Sequence, residues 1–129
     1  MTTQDENNPP PGIIWRRTAD LAWNDLNIAG TPLAGAPVYA SDLGVRSSFY
    51  RMAAGDMLKK HRHMKWVQVM VVEGAMEVTQ DGEEPFVARA GELYFVQPRH
   101  PHTEKAIEPS LILITTAEPP PPAVKKRPS

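Results

Sequence analysis

Residues 55–74 decide how this chain folds, and they read Gly-Asp-Met-Leu-Lys-Lys-His-Arg-His-Met-Lys-Trp-Val-Gln-Val-Met-Val-Val-Glu-Gly. Alternate side chains of a β-strand lie on one face, so His61 and His63 would project two imidazoles to the same side, about 6.5 Å apart along the backbone. That separation suits two ligands of one metal ion. A third histidine, His102, ends a second stretch that begins at Gly91. A strand paired in the same sheet would bring His102 to the same point.

The two stretches resemble the two sequence motifs of the cupin superfamily. The first motif has a Gly, five residues, His-x-His, an acidic or other ligand and a closing Gly, and the second places His eleven residues after a Gly. The matching positions are Gly55, His61, His63 and Gly74 in the first motif, and Gly91, Pro98, Pro101 and His102 in the second. The resemblance implies an all-β fold, the double-stranded β-helix or jelly-roll barrel.

The strand pattern agrees with this fold class independently of the resemblance. Many short strand-like runs are separated by turn signals, and helical periodicity is almost absent, which is typical of a small β-barrel or double-sheet jelly roll. Asp81-Gly82 lies between two such runs, 75–79 and 85–88, and predicts a hairpin that returns the second motif beside the first.

The resemblance implies a metal site formed by His61, His63 and His102. The family's fourth ligand, usually Glu, sits seven residues before the closing Gly, and that position here is Val67. Gln68 follows it and would face away from the histidines in a regular strand, so it becomes a candidate ligand only if a β-bulge rotates it inward. A three-histidine site is therefore favoured over one that includes Gln68.

Imidazole ligands suit several divalent transition metals, so ligand type alone leaves Fe, Zn, Ni, Mn and Cu open. The resemblance implies a dioxygenase-type oxidoreductase with one Fe(II) per subunit, acting with O₂ on a small dicarbonyl or hydroxyketone. Cupins of the acetylacetone-dioxygenase and ChrR-like group are the suspected relatives. Two alternatives remain: a non-redox isomerase, cyclase or decarboxylase, and a metal- or ligand-binding sensor without turnover.

Substrate contacts are predicted at aromatic and cationic side chains close to the motifs, namely Phe49, Arg51, Trp66 and Tyr94. An aromatic lining is usual where a barrel mouth binds a small ligand, although such residues more often belong to the core. Glu104 shares strand parity with His102 and could face the cavity as a base or a ligand. A solvated carboxylate at the end of a strand is the favoured interpretation of Glu104.

Length and composition predict one domain and exclude several function classes. The 129 residues divide into a flexible leader at 1–12, a cupin domain at 13–117 and a Pro-rich disordered tail at 118–129. A net charge of −1 does not indicate a nucleic-acid or membrane partner, and the absence of Cys excludes disulfides and thiolate catalysis. The polar N-terminus lacks the features of a secretory signal, which favours a cytoplasmic protein.

The chain before the first motif gives weaker signals. Residues 13–15 predict an edge strand or a docking segment, and a homodimer contact is expected there by resemblance to small cupins. The apolar residues within 18–26 follow neither a helical nor a strand period. This pattern predicts either one short helical turn or an irregular cover over a sheet edge. Residues 29–37 are rich in Gly, Ala and Pro and predict a loop. Residues 38–40 and 45–52 predict the next two strands.

Overall fold

The computed structural model describes residues 12–28, 30–41, 44–61 and 64–117, and at His61 it describes the backbone alone. The predicted leader, apart from Gly12, and the predicted tail lie outside these residues. The described residues form a 3₁₀ turn at Thr18–Asp20 and ten strands: β1 (Asn24–Ile28), β2 (Thr31–Ala40), β3 (Arg46–Met52), β4 (Met57–His61), β5 (Trp66–Glu73), β6 (Ala75–Gln80), β7 (Phe86–Arg89), β8 (Leu93–Val96), β9 (His102–Ala106) and β10 (Ser110–Ala117).

The strands form two antiparallel sheets. The larger sheet has the order β1-β2-β3-β10-β5-β8, and the smaller has the order β4-β9-β6-β7. Each sheet interleaves early and late strands, so β4 of the first motif lies beside β9 of the second. This arrangement is the predicted double-stranded β-helix, and the all-β prediction is confirmed.

The core lies between the inner faces of the two sheets and follows from strand alternation. On β5, Val67, Val69 and Val71 are buried, whereas the residues between them are only half-buried. On β9, the buried positions include His102 and Glu104, while Thr103 and Lys105 between them are more exposed. The inner face of β9 therefore brings two ionisable side chains into an otherwise apolar interior.

Gly74 carries the chain from the larger sheet to the smaller one, between β5 and β6. Its φ of +91° lies in the left-handed region that favours glycine. A Cβ built at this position would lie 2.4 Å from the carbonyl oxygen of Pro109, which leaves no space for a side chain. Ser110 stabilises the same connection between the two sheets, because its hydroxyl accepts a hydrogen bond from the buried N–H of Ala75 at 3.1 Å.

The hairpin and the short helical turn are confirmed, but the predicted loop at 29–37 is wrong. The turn at Asp81-Gly82 joins β6 and β7. In place of the loop, β2 runs from Thr31 to Ala40, and β1, which was not predicted, pairs with it. The register of β2 against β3 shifts between Pro37 and Tyr39, where a proline is tolerated because the ladder is already irregular. Gly35 fits because Leu26 and Tyr50 fill the space that its side chain would need.

Residues 13–15 are not part of a strand, and their side chains are exposed. The segment that follows them contacts the outer face of the larger sheet, where the Arg51 guanidinium lies 4.9 Å from the centre of the Trp23 ring. Within the described part of the chain, no helix has the length and apolar character needed to cross a bilayer.

Candidate metal centre

His102 is the first residue of β9, and it is only 2% exposed. Its backbone pairs with His61 of β4 on one side and with Gln80 of β6 on the other. The pairing of β4 with β9 is irregular between Leu58 and His61, where three steps along β4 match two steps along β9. The fold thus places the first histidine of one motif directly opposite the histidine of the other.

The two ring nitrogens of His102 face two different oxygen atoms. Nδ1 lies 3.0 Å from the backbone carbonyl oxygen of His100, and Nε2 lies 3.1 Å from Oε1 of Glu104. A carbonyl oxygen can only accept, so Nδ1 must carry a proton and donate a hydrogen bond to that oxygen. The lone pair of a neutral His102 would then be on Nε2, directed at the carboxyl group of Glu104. Without a metal ion, a proton must lie between Nε2 and Oε1, because two lone pairs would otherwise face each other.

Glu104 is 3% exposed and hydrogen-bonded at both carboxyl oxygens. Its Oε1 contacts His102, and its Oε2 accepts a short hydrogen bond from the hydroxyl of Tyr94. The residues that pair with Glu104 on the neighbouring strands are Leu58 and Val78, both buried and apolar. Burial of a carboxylate between apolar neighbours is costly unless it is paired and hydrogen-bonded, and His102 and Tyr94 supply those partners.

The pKa values of His102 and Tyr94 are both raised above their usual values. Burial lowers the pKa of His102, but the hydrogen bond to Glu104, the His100 carbonyl and the charge of Glu104 together outweigh it and raise the pKa above its usual 6.5. Burial, the charge of Glu104 and the hydrogen bond to Glu104 raise the pKa of Tyr94 well above its usual 10. Tyr94 is therefore a phenol at neutral pH and donates a hydrogen bond to Glu104.

The predicted ligands are only partly within the described residues. His63 and the side chain of His61 lie outside them, and among the rest no group of three or more His, Asp or Glu side chains forms a metal site. Gln68 lies on the outer face of β5, because its neighbours Val67 and Val69 are buried in the core. Its pairing with β8 and β10 is regular, so there is no bulge of the kind that would turn it inward. Gln68 therefore does not face the interior.

The predicted substrate residues divide between the two faces of the larger sheet. Tyr94 is on the inner face and contacts Glu104. Phe49 and Arg51 alternate with the inward Tyr50 and Met52 of β3, so they lie on the outer face. Trp66 shares the parity of Gln68, and its ring centre is 6.1 Å from that of the exposed Phe95. The structure does not bring these three outer residues to His102.

Polar side chains form a small pocket that reaches His102 from the rim of the smaller sheet. The pocket has a volume of about 170 Å³ and is lined by Lys60, Thr79, Asp81, Gly82, His102 and Thr103. Lys60 Nζ lies 2.7 Å from Asp81 Oδ1, and both side chains are more than half exposed. An exposed ion pair of this kind is solvated and contributes little to stability.

The favoured interpretation of Glu104 as a solvated carboxylate is wrong. Strand parity identified the correct face, since Glu104 follows His102 by two residues on β9. The solvent exposure of Glu104 was predicted wrongly, because Glu104 is in the middle of a strand whose inner face is covered by Tyr94 from the opposite sheet. The partner hydroxyl comes from a strand ten residues earlier in the chain, and no local pattern around Glu104 indicates it.

Comparison with known proteins identifies the family of this chain. A family model described as a cupin domain matches residues 48–114, which is more than half of the chain and includes both histidine motifs. The chain is a cupin. No match was found among curated proteins.

Solved structures similar to this cupin come from several organisms. KdgF from Halomonas sp. is 21% identical, with a TM-score of 0.68, and the match covers 80% of this chain and 93% of that one. An RmlC-like cupin from Shewanella frigidimarina is 19% identical, with a TM-score of 0.70 and coverage of 83% and 92%. A predicted oxalate decarboxylase from Thermotoga maritima is 12% identical, with a TM-score of 0.71 and coverage of 80% and 97%. At these identities the similarity establishes the fold alone.

The groups around His102 fit a divalent transition metal. An imidazole with one nitrogen tied to a backbone carbonyl presents its other nitrogen in a fixed direction, which is the usual arrangement of a metal-binding histidine. The buried carboxylate of Glu104 supplies negative charge beside that nitrogen. Imidazole and carboxylate are both ligands that Fe, Zn, Mn and related ions accept.

Proposed function

We propose that this cupin is an enzyme that uses one divalent transition metal per subunit, held by His61, His63 and His102, to act on a small molecule. The observation that carries the proposal is the environment of His102. Its ring is buried, its Nδ1–H is tied to the His100 carbonyl, and the backbone of His61 lies opposite it in the sheet. A histidine whose only role is packing needs no such fixed orientation of Nε2.

The favoured reaction class is a dioxygenase-type oxidation with Fe(II) as the metal and a dicarbonyl or hydroxyketone as the substrate. A bound metal would polarise the carbonyl oxygens of such a substrate and lower its pKa, and iron would in addition permit reaction with O₂. The resemblance to the acetylacetone-dioxygenase and ChrR-like group supports this choice. A homodimer in the cytoplasm with no nucleic-acid or membrane partner is the accompanying expectation.

The protein itself would contribute orientation, exclusion of water and control of protons. The His100 carbonyl orients the His102 ring, and Tyr94 orients the Glu104 carboxylate. Buried apolar Leu58 and Val78 pair with Glu104 on either side, and a low-dielectric environment of this kind strengthens electrostatic interactions. The proton between His102 and Glu104 is the one that a metal would displace.

A non-redox metalloenzyme is the second candidate. The similar structures support it, because one is described as a predicted oxalate decarboxylase, which is a different reaction class on the same fold. A binding or sensing module without turnover is the third candidate.

The first experiment measures the metal content of the purified protein by inductively coupled plasma mass spectrometry. We expect about one transition-metal ion per chain, and we expect His102→Ala to lose it. His100→Ala is the matched control, because the exposed imidazole is removed while the carbonyl that accepts from His102 remains. A parent protein without metal, or a His102→Ala protein that retains it, would contradict the proposal.

Measurement of oxygen uptake then distinguishes the dioxygenase from the two other candidate functions. Iron-loaded protein is incubated with a β-diketone, an α-hydroxyketone or a thiol while dissolved O₂ is recorded. Consumption that depends on both iron and substrate supports the dioxygenase. Iron-loaded protein that consumes no O₂ with any of these compounds favours a non-redox enzyme or a binding module.

A further inference from the structure

We infer that Glu104 is itself a metal ligand, so that the site of this cupin includes a carboxylate from β9 beside the histidines. This inference rests on the proposed function, because it adds a ligand to the same site. It concerns a residue that neither the three-histidine prediction nor the family comparison places in the metal shell.

The distance between the two donor atoms is compatible with a shared metal ion. Nε2 of His102 and Oε1 of Glu104 are 3.1 Å apart, which is also a hydrogen-bond distance. Imidazole nitrogens and carboxylate oxygens bind Zn²⁺ and similar ions at about 2.0–2.2 Å, so two such donors around one ion lie about 3.0 Å apart at a right angle and about 3.4 Å apart at a tetrahedral angle. The separation of the two atoms is within that range.

The two donor atoms present electron pairs to the same small region. Nδ1 of His102 donates a hydrogen bond to the His100 carbonyl, so the lone pair of Nε2 is on the side of Glu104. A divalent ion bonded to both Nε2 and Oε1 would lie to one side of the line that joins them, because two bonds of about 2.1 Å cannot be collinear across 3.1 Å. Such an ion would be the shared partner of both atoms.

The second oxygen of Glu104 also has a partner. Oε2 accepts a hydrogen bond from the hydroxyl of Tyr94. A ligating carboxylate is usually held by such a partner, which fixes the orientation of its metal-binding oxygen. The same carboxylate lies between apolar Leu58 and Val78, where burial of a charged group destabilises the fold unless a partner compensates for it.

Strand β5 has no carboxylate at the position of the family's usual fourth ligand, which is Val67. Val67 is 3% exposed and belongs to the apolar core, and Gln68 faces outward. A negatively charged ligand, if the site has one, must therefore come from another strand. Among the described residues of the core, Glu104 is the buried carboxylate.

The test uses Co²⁺ as the probe, because the visible absorption bands of bound Co²⁺ change with the ligands and their number. The metal-free parent protein is titrated with Co²⁺ by calorimetry and by absorption spectroscopy, alongside the variants Glu104→Gln and Glu104→Leu. In Glu104→Gln the amide N–H can donate to Nε2, which preserves the contact without the charge. Glu104→Leu also removes the oxygen that an amide would still offer as a ligand.

We expect Glu104→Leu to bind Co²⁺ more than about 100-fold more weakly than the parent, with altered bands, and Glu104→Gln to lie between them. Tyr94→Phe should weaken binding by about 10- to 100-fold and leave the bands unchanged, as expected for the loss of an outer partner. Glu77→Gln is the matched control, because it removes a carboxylate from the outer face of the same sheet. Circular dichroism establishes that each variant is folded.

Two results would overturn the inference. One is binding by both Glu104 variants within tenfold of the parent. The other is weaker binding with unchanged bands, which would show that Glu104 orients His102 and does not contact the metal. A parent protein that binds no Co²⁺ would refute the proposed function and this inference together, whereas parent-like binding by both variants would refute the inference alone.

Discussion

At the scale of single residues, the chemistry of this cupin depends on how His102 is held. Its two nitrogens face a carbonyl oxygen and a carboxylate, and both interactions favour the protonated ring in the absence of metal. A buried histidine without such partners would be neutral, because burial disfavours the charged form. The partners thus decide the ionisation state of the ring.

The raised pKa of His102 predicts a pH-dependent stability of the metal-free protein. A group whose pKa is higher in the folded than in the unfolded state stabilises the fold below its unfolded pKa, here about 6.5, and this contribution is lost as the pH rises through the folded pKa. We therefore expect the free energy of unfolding to fall when the pH is raised from 6 to 9 in the presence of a chelator. Urea unfolding at several pH values measures the change.

The variant His102→Gln isolates the contribution of this one ring. The other three histidines remain in it, so the difference between the parent and variant curves reports His102 together with its coupling to Glu104. We expect the difference to shrink as the pH rises above 6.5. Parallel curves for the two proteins would contradict the assigned direction of the pKa shift.

At the scale of elements, the crossing from β5 to β6 depends on Gly74. We expect Gly74→Ala to lower the free energy of unfolding by about 2–4 kcal/mol, because it combines a strained φ with a clash against the Pro109 carbonyl. Gly82→Ala is the control. Gly82 has a similar φ of +82° but no neighbouring atom within 4 Å of the added Cβ, so its cost should be nearer 1 kcal/mol. Equal losses in urea unfolding would show that the clash is unimportant.

The elements also show which parts of the fold can be predicted from sequence. The pairing of β4 with β9 and the hairpin of β6 and β7 followed from motif spacing and from Asp81-Gly82, because these signals are local. Residues 38–40, the end of strand β2, were predicted as a strand, whereas residues 31–37 were predicted as a loop because their Pro and Gly residues are typical of loops. They are accommodated by a register shift at Pro37 and by the side chains of Leu26 and Tyr50 beside Gly35, which depend on tertiary neighbours.

The candidate site, like the fold, was predicted in part from the sequence. Alternation along β9 placed His102 and Glu104 on one face, but the burial of Glu104 depends on Tyr94 from the other sheet. The substrate contacts of Phe49, Arg51 and Trp66 stay a prediction, and all three residues lie on the outer face of the larger sheet. Proximity to a motif along the chain does not determine which face of a strand a residue occupies.

At the scale of the whole molecule, the hydrogen bond from Tyr94 to Glu104 joins the two sheets at the candidate site. Residues of the two histidine motifs meet there although they are about forty positions apart in the chain. An ion bound at this point would contact segments that are separate in the unfolded chain. Metal binding is therefore expected to stabilise the folded state.

Removal of the metal should lower the melting temperature. Free ion at 100 times its Kd adds about 2.7 kcal/mol of stability, which corresponds to a shift of roughly 10 °C or more for a domain of this size. Thermal melts followed by circular dichroism, with and without a chelator, measure the shift. His102→Ala is the control, and its melting temperature should not respond to the chelator. An equal response in parent and variant would place the stabilising ion elsewhere.

The two walls of the interior differ in composition in a way that matters for engineering. On the larger sheet, Val69, Val71 and Ile112 are fully buried aliphatic side chains, whereas His102 and Glu104 belong to the smaller sheet. A mutant library restricted to these aliphatic positions would reshape the interior and leave His102, Glu104 and Tyr94 untouched. Selection for new specificities in this scaffold would best begin with those positions on β5 and β10.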